Sequence, residues 1–250
     1  MLSRNQIKYI TDLSQKSVRY AERKFVVEGE KLVAELISSR FTIEGIYAIP
    51  GWESPYGGEI IPVSEKELGR ISHLKTPNKV LAVVRMPEEN GQLKMDSGLT
   101  LFLDRINDPG NLGTIIRMAD WFGVNQIICT ENSVDVFNNK VIQSSMGSVF
   151  RVPVHYVDGM EFLTQFASDF PEIPVLAADM AGETLGEFSF PENAVLVMGS
   201  ESHGIDSRYR PVIQRWVNIP RFGQAESLNV GVATGIILWE WKRGVLPLKM

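Results

Sequence analysis

From residue 99 onward, short apolar runs return along the chain, each closed by a polar or Gly-bearing turn and followed by a segment with helical spacing. The runs are LTLFLD (99–104), NQIICT (125–130), VPVHYV (152–157), IPVLAAD (173–179) and AVLVMGS (194–200). Runs this apolar on both faces suit a central parallel sheet covered by helices. Helices are expected at 113–122, 138–146, 159–168 and 204–215, with a last one at 227–242. Ahead of this block, FVVEGEKLVAELISS reads as a strand-like entry, a Gly turn and an amphipathic helix, because Leu32, Val33, Leu36 and Ile37 recur at helical spacing. FTIEGIYAIP and GGEIIPVS read as strands, EKELGRISHL as a short helix and KVLAVVRMP as a further strand. The pattern predicts an α/β protein of two parts: a small unit over 1–88, a polar linker at about 89–96, and a larger domain over 97–250. No internal repeat or low-complexity segment interrupts it.

A chain of 250 residues, 44% of them hydrophobic, can build cores of this size. No apolar run reaches the roughly 18 to 20 residues of a membrane span, and MLSRNQIKYI is polar rather than signal-like, so the expected location is the cytoplasm, with no membrane partner. The single cysteine, Cys129, follows Ile127 and Ile128 and reads as a buried strand residue. With three scattered histidines, His73, His155 and His203, no metal site is expected. Net charge is −5, an acidic balance that by itself argues against nucleic acid. Its distribution changes the picture: residues 1–40 carry eight basic and five acidic groups, and the remaining 210 carry 17 and 25. A basic end on an acidic body is compatible with a local phosphate-binding patch.

Three strand-to-helix segments concentrate the polar chemistry. In LDRINDPGNLGTIIRMADWFGV, Asp108-Pro109-Gly110-Asn111 is a turn signal, Gly113 sits where a helix is expected to begin, and Arg117 is one or two turns further on. In LVMGSESHGI, Gly199 ends a strand and Glu201 lies just past it, where ligands sit in open α/β sheets. In VNIPRFGQAESLNVGVATGIILWEW, Glu226 or Ser227 is placed to cap a strongly apolar helix, while Asn229 has no comparable structural task inside the first turn. A dinucleotide-dependent oxidoreductase would require a Gly-x-Gly-x-x-Gly loop, which this segment lacks.

These three segments, in this order, resemble the three signature motifs of the SpoU (TrmH) branch of the SPOUT methyltransferases. KFVVEGEKLVAE and TPNKVLAVV, more loosely, resemble the small ribosomal-protein-like substrate-binding domain of the ribosomal RNA members. The resemblance implies an S-adenosylmethionine-dependent RNA 2′-O-ribose methyltransferase, with a C-terminal trefoil knot, working as a homodimer. It assigns cofactor contacts to Ala177, Gly199, Ile219 and Leu228, and catalysis to Asn111, Arg117, Glu201, Ser227 and Asn229. In this reading Arg117 steadies the negative charge developing on a ribose oxygen, because a guanidinium is almost never neutral and makes a poor base. Asn111 positions the ribose or its phosphate, Glu201 orients Arg117 or the substrate, and Ser227 and Asn229 complete the pocket. Ser202 and His203 stand where many relatives carry small residues, and His203 reads as a solvated loop histidine. Arg19, Arg23 and Lys24 are expected to bear RNA phosphates. Ribosomal RNA is the expected target by analogy of architecture, with transfer RNA as the alternative; a catalytically silent RNA-binding protein of the same fold is the competing class.

Overall fold

The computed structural model describes residues 1–53, 56–88, 98–201 and 203–245; the expected linker at 89–96 and Ser202 lie outside the described residues. Contacts divide the chain into two units, one of Met1–Glu89 with Asp135–Arg151, the other of Asn90–Val134 with Val152–Met250.

In the first unit, β1 (Lys24–Glu28), β2 (Ile43–Ala48), β3 (Ile60–Pro62) and β4 (Val80–Arg85) form a sheet in the order β1-β4-β2-β3, antiparallel except for the β2–β3 pair. The expected amphipathic helix is α3 (Glu30–Ile37), which buries Leu32, Val33 and Leu36. Alternation along the strands sends Val26, Leu81 and Val83 to one core, with Ile10 from the first helix, Leu13 just after it, and Leu68 and Ile71 from α4 (Glu65–Ile71). Phe25 packs against Phe137 with ring centroids 4.6 Å apart and planes tilted by 31°, and meets Phe41 edge-on. Two helices absent from the sequence reading open the chain, α1 (Arg4–Asp12) and α2 (Lys16–Glu22); Ser3 and Gln6 close a capping box on α1. The expected helix at 138–146 is α6 (Asn139–Ser145), and it belongs to this unit, where Gln143 donates to the Glu28 carbonyl at 2.9 Å.

Arg19 corrects an expectation. It is 2% exposed and forms an ion pair with Asp135 at 2.6 Å. Its Nη1 group donates to the carbonyls of Leu13 and Ser14. Asp135 is completed by the Tyr20 hydroxyl and the Phe137 amide. A guanidinium so enclosed has no surface to offer an RNA phosphate, and its task is to clamp the 135–137 segment to α2.

In the second unit six strands, all parallel, lie in the order β10-β8-β9-β5-β6-β7. They are β5 (Leu99–Asp104), β6 (Gln126–Thr130), β7 (Val154–Val157), β8 (Val175–Thr184), β9 (Ala194–Gly199) and β10 (Arg215–Asn218). Phe102, Ile128, Val175, Ala177, Val195 and Val197 fill one face with Leu163 and Phe166 of α7 (Gly159–Asp169). Cys129 is buried in β6, and burial pushes its thiol pKa up. Two expected helices differ from the pattern. The one expected from 113 begins at Pro109 as α5 (Pro109–Trp121), because the Asp108 side chain caps the Asn111 amide and Pro109 fits the first helical position. The one expected at 204–215 is a 3₁₀ turn at Ser207–Val212 containing Pro211, and the chain then becomes β10.

Because Asp135 is buried with its cation, Arg19→Met is expected to cost about 3 to 5 kcal/mol in urea unfolding, and Arg19→Met with Asp135→Asn less than the two single changes together. Purely additive losses would mean that the pair is not a unit.

Candidate active site

Strands β5 and β9 are neighbours, yet the chain leaves them in opposite directions, β5 toward β6 and β9 toward the β8 side. A crevice opens at the carboxyl ends of strands at such a reversal. Asp104 and Gly199 pair there. Asp104, 1% exposed, accepts from the Asp206 amide at 2.8 Å and pairs with Arg105, which anchors the far end of the turn after β9. The turn itself is tight. Ser200 bridges Gly204, whose φ is 60°, and a Cβ on Gly199 would lie 2.3 Å from the Gly204 carbonyl carbon. Only glycine fits at 199, and Glu201 is carried at the tip.

Glu201 joins the three loops. Asn111 Nδ2 donates to Glu201 Oε1 at 2.9 Å and to Oε2 at 3.1 Å. Asn229 Nδ2 donates to Oε1 at 2.7 Å and to Asn111 Oδ1 at 2.8 Å, and the Val230 amide reaches Oε1 at 3.1 Å. Asn229 Oδ1 meanwhile accepts from the amides of Gly231 and Val232. Asn229 is therefore itself the N-terminal cap of α8 (Val230–Val245), the structural task that the sequence reading gave to Glu226 or Ser227. Both of its N–H groups and its carbonyl are committed, so Asn229 is a positioning residue. Glu201 Oε2, by contrast, accepts from Asn111 alone among the described residues and keeps capacity for another donor.

Beside this latch lies a cavity of about 430 Å³, within the size range of sites for small organic ligands. Its apolar walls come from Met198, Ile205, Val217 and Ile219, and its polar positions from Asp179, Glu226 and Ser227. Gly199, Glu201, Ile219, Ser227 and Leu228 all line it. Ala177 does not: it is fully buried in the sheet, and the lining begins at Ala178. Asn111, Arg117 and Asn229 are also outside the lining. Arg117 is exposed on α5, six residues from Asn111, a rise of about 9 Å, and has no hydrogen bond or ion pair among the described residues. Glu201 is thus bonded to the two asparagines rather than to Arg117. His203 is exposed, and its amide donates to Ser200 Oγ. In the first unit, Arg23 is exposed but donates to the Pro87 carbonyl, and Lys24 pairs with Glu44 at 3.4 Å. Asp179, Arg221 and Phe222, none of them a candidate from the sequence, also line the cavity, as does Glu226, which the sequence offers only as a helix cap; the signal available for them was their place at or after strand ends.

Residues 98–239, more than half of the chain, match the SpoU rRNA Methylase family. The chain belongs to that family. Residues 4–82 match the MRM3-like substrate binding domain. Among SpoU relatives, the 23S rRNA (guanosine(2553)-2′-O)-methyltransferase of Bacillus subtilis is 30% identical over 231 residues, covering 91% of this chain and 92% of its own. A solved chain from Porphyromonas gingivalis, described as of the TrmH family, superposes with a TM-score of 0.87 at 37% identity, covering 97% of this chain and 99% of its own. An AdoMet-bound rRNA methyltransferase from Sinorhizobium meliloti superposes with a TM-score of 0.83 at 29% identity, covering 99% and 97%.

Asn and Asp cap helices about equally well, so the pair of substitutions at 229 separates cap from latch. Asn229→Ala is expected to lower unfolding stability by about 1 to 2 kcal/mol. Asn229→Asp should do no better, because it turns a carboxylate toward Glu201. An aspartate as stable as the wild type would show that the latch contributes nothing.

Proposed function

We propose that this chain is an S-adenosylmethionine-dependent RNA 2′-O-ribose methyltransferase acting on ribosomal RNA. The observation that carries this reading is the meeting of the three polar loops on Glu201, at the switch point of a parallel sheet and beside a cavity of cofactor size. Family membership and the relatives that act on 23S rRNA support the same reaction.

The cavity suits the cofactor. Met198, Val217, Ile219 and Leu228 offer apolar walls to an adenine, while Asp179, Glu226 and Ser227 offer acceptors for ribose hydroxyls and an ammonium group. When bound, S-adenosylmethionine would supply a methyl group on a sulfonium, a carbon to which a ribose oxygen bonds as the carbon–sulfur bond breaks and S-adenosylhomocysteine leaves. A neutral ribose hydroxyl is a poor nucleophile, so the chain must hold it and steady the charge it develops. Glu201 Oε2 has the spare acceptor capacity to orient the 2′-hydroxyl. Asn111, held on two sides by the latch, keeps one carbonyl lone pair toward the substrate. Arg117, exposed on the same helix and without an ion pair among the described residues, is the cation for the oxyanion. Ser227 borders the cavity from the third loop.

The reading includes the family's trefoil knot, a cytoplasmic location and a homodimer. No helix among the described residues is long and apolar enough to cross a membrane. Val232, Ile236 and Trp239 are exposed along α8, and Trp121 on α5 is 82% exposed, an apolar stripe that a second copy would cover. Gly231 and Gly235 face Thr114 and Met118 of α5, so their small size serves packing inside the unit and leaves the outer face for the partner. RNA contact by the first unit draws on Arg23 and Lys24 and on its match to a substrate-binding domain.

Arg117→Ala should lower kcat for 2′-O-methylation of unmodified ribosomal RNA by about 100- to 1,000-fold while leaving the S-adenosylmethionine Kd within about two-fold, and Arg117→Lys should recover only part. Near-normal turnover with intact cofactor binding would remove Arg117 from the mechanism. A wild-type protein with no measurable S-adenosylmethionine binding would favour the silent RNA-binding module. The dimer is tested by solution mass, where Trp239→Glu should shift the protein toward monomer.

A further inference from the structure

Phe222 is 97% exposed, in a segment between β10 and α8 where residues 221–229 are all exposed. The residue lines the cavity, yet the cavity has apolar walls without it in Met198, Ile205, Val217 and Ile219. A free phenyl ring in water at the rim of a site forfeits the burial that aromatic side chains normally contribute. Space is open beside it: a Cβ built on Gly223 meets nothing within 4 Å. Arg221, the preceding residue, is also exposed, and among the described residues it makes one long hydrogen bond of 3.4 Å to the Ala225 carbonyl, which uses one of its five donors.

Bare aromatic faces and forked cations are the groups that hold single-stranded RNA. An unstacked base presents two π faces that rest on Phe, Tyr or Trp, and its phosphate suits a guanidinium. A ribose held at Glu201 and Asn111 brings its own base, or that of the adjoining nucleotide, to the cavity rim. We propose that Phe222 is the stacking platform for an unpaired RNA base at or next to the methylated nucleotide, with Arg221 on the adjoining phosphate. This rests on the methyltransferase reading and adds to it a substrate requirement: the target lies in a loop, bulge or opened strand rather than in a continuous helix. The stack selects for an unpaired base with little regard to which base it is, because every base has a π face.

The test is a substitution series at 222 read by three measurements on the full chain: Kd for a protein-free 23S rRNA transcript, Kd for S-adenosylmethionine, and solution mass. Phe222→Ala and Phe222→Leu are each expected to weaken RNA binding about ten-fold or more, while Phe222→Trp stays within about two-fold of wild type, because leucine restores apolar area but no π face. Cofactor affinity and mass should not move. RNA affinity that is flat across the series, or restored by leucine, overturns the stack. Loss of cofactor affinity in Phe222→Ala assigns the ring to a cover over the cavity, and a fall in mass assigns it to a subunit contact; either overturns the proposal. The binding arm reads the Phe222 contact whether or not methyl appears in the RNA, so a wild type that methylates nothing sinks the enzymatic reading by a separate result.

Discussion

The second unit depends on one carboxylate that accepts from three donors on two other loops. Glu201 lies at the tip of a turn that only glycine at 199 permits, and it receives Asn111, Asn229 and the Val230 amide. A carboxylate suits this place because all three partners donate, and an amide in its position would turn an N–H toward them. The bonds fix the first turn of α5 and the first turn of α8 against the end of β9. That arrangement sets the edge of the cavity and leaves Glu201 Oε2 with a single donor among the described residues. The oxygen held tightly builds the site, and the oxygen held loosely is available to a substrate.

Much of this was legible in the chain and some was not, for identifiable reasons. LTLFLD coincides with β5 because a strand buried on both faces leaves a continuous apolar run. The start of α5 was read four residues late, since Gly110 and Asn111 look like loop residues, although Asp108 and Pro109 carry the local signals for a cap and a first turn. The segment 204–215 has helical spacing, but Pro211 removes a donor and the tail pairs with β8. The sequence marks Asn229 as a candidate site residue and offers the capping of α8 to Glu226 or Ser227, whereas the cap is Asn229 itself. Which atoms its amide meets depends on loops 28 and 118 residues away.

Arg19 shows the same limit from the other side. Its charge is visible in the sequence, and a basic N-terminal region invites a phosphate. Its partner Asp135 lies 116 residues on, and no local pattern announces that pairing. The consequence for RNA binding is a redistribution. Buried charge in the first unit belongs to the fold, and in the proposed reading contact with the polyanion falls to exposed groups such as Arg23, Arg117 and Arg221.

The central claim is that Glu201 holds α8 in register with α5 and β9. Amide hydrogen exchange in Glu201→Gln tests it most directly. The account predicts that the amides of Val230, Gly231 and Val232 exchange at least about ten-fold faster than in the wild type, while those of Leu101, Phe102 and Leu103 in β5 keep their protection. Unchanged protection at the start of α8 would contradict it.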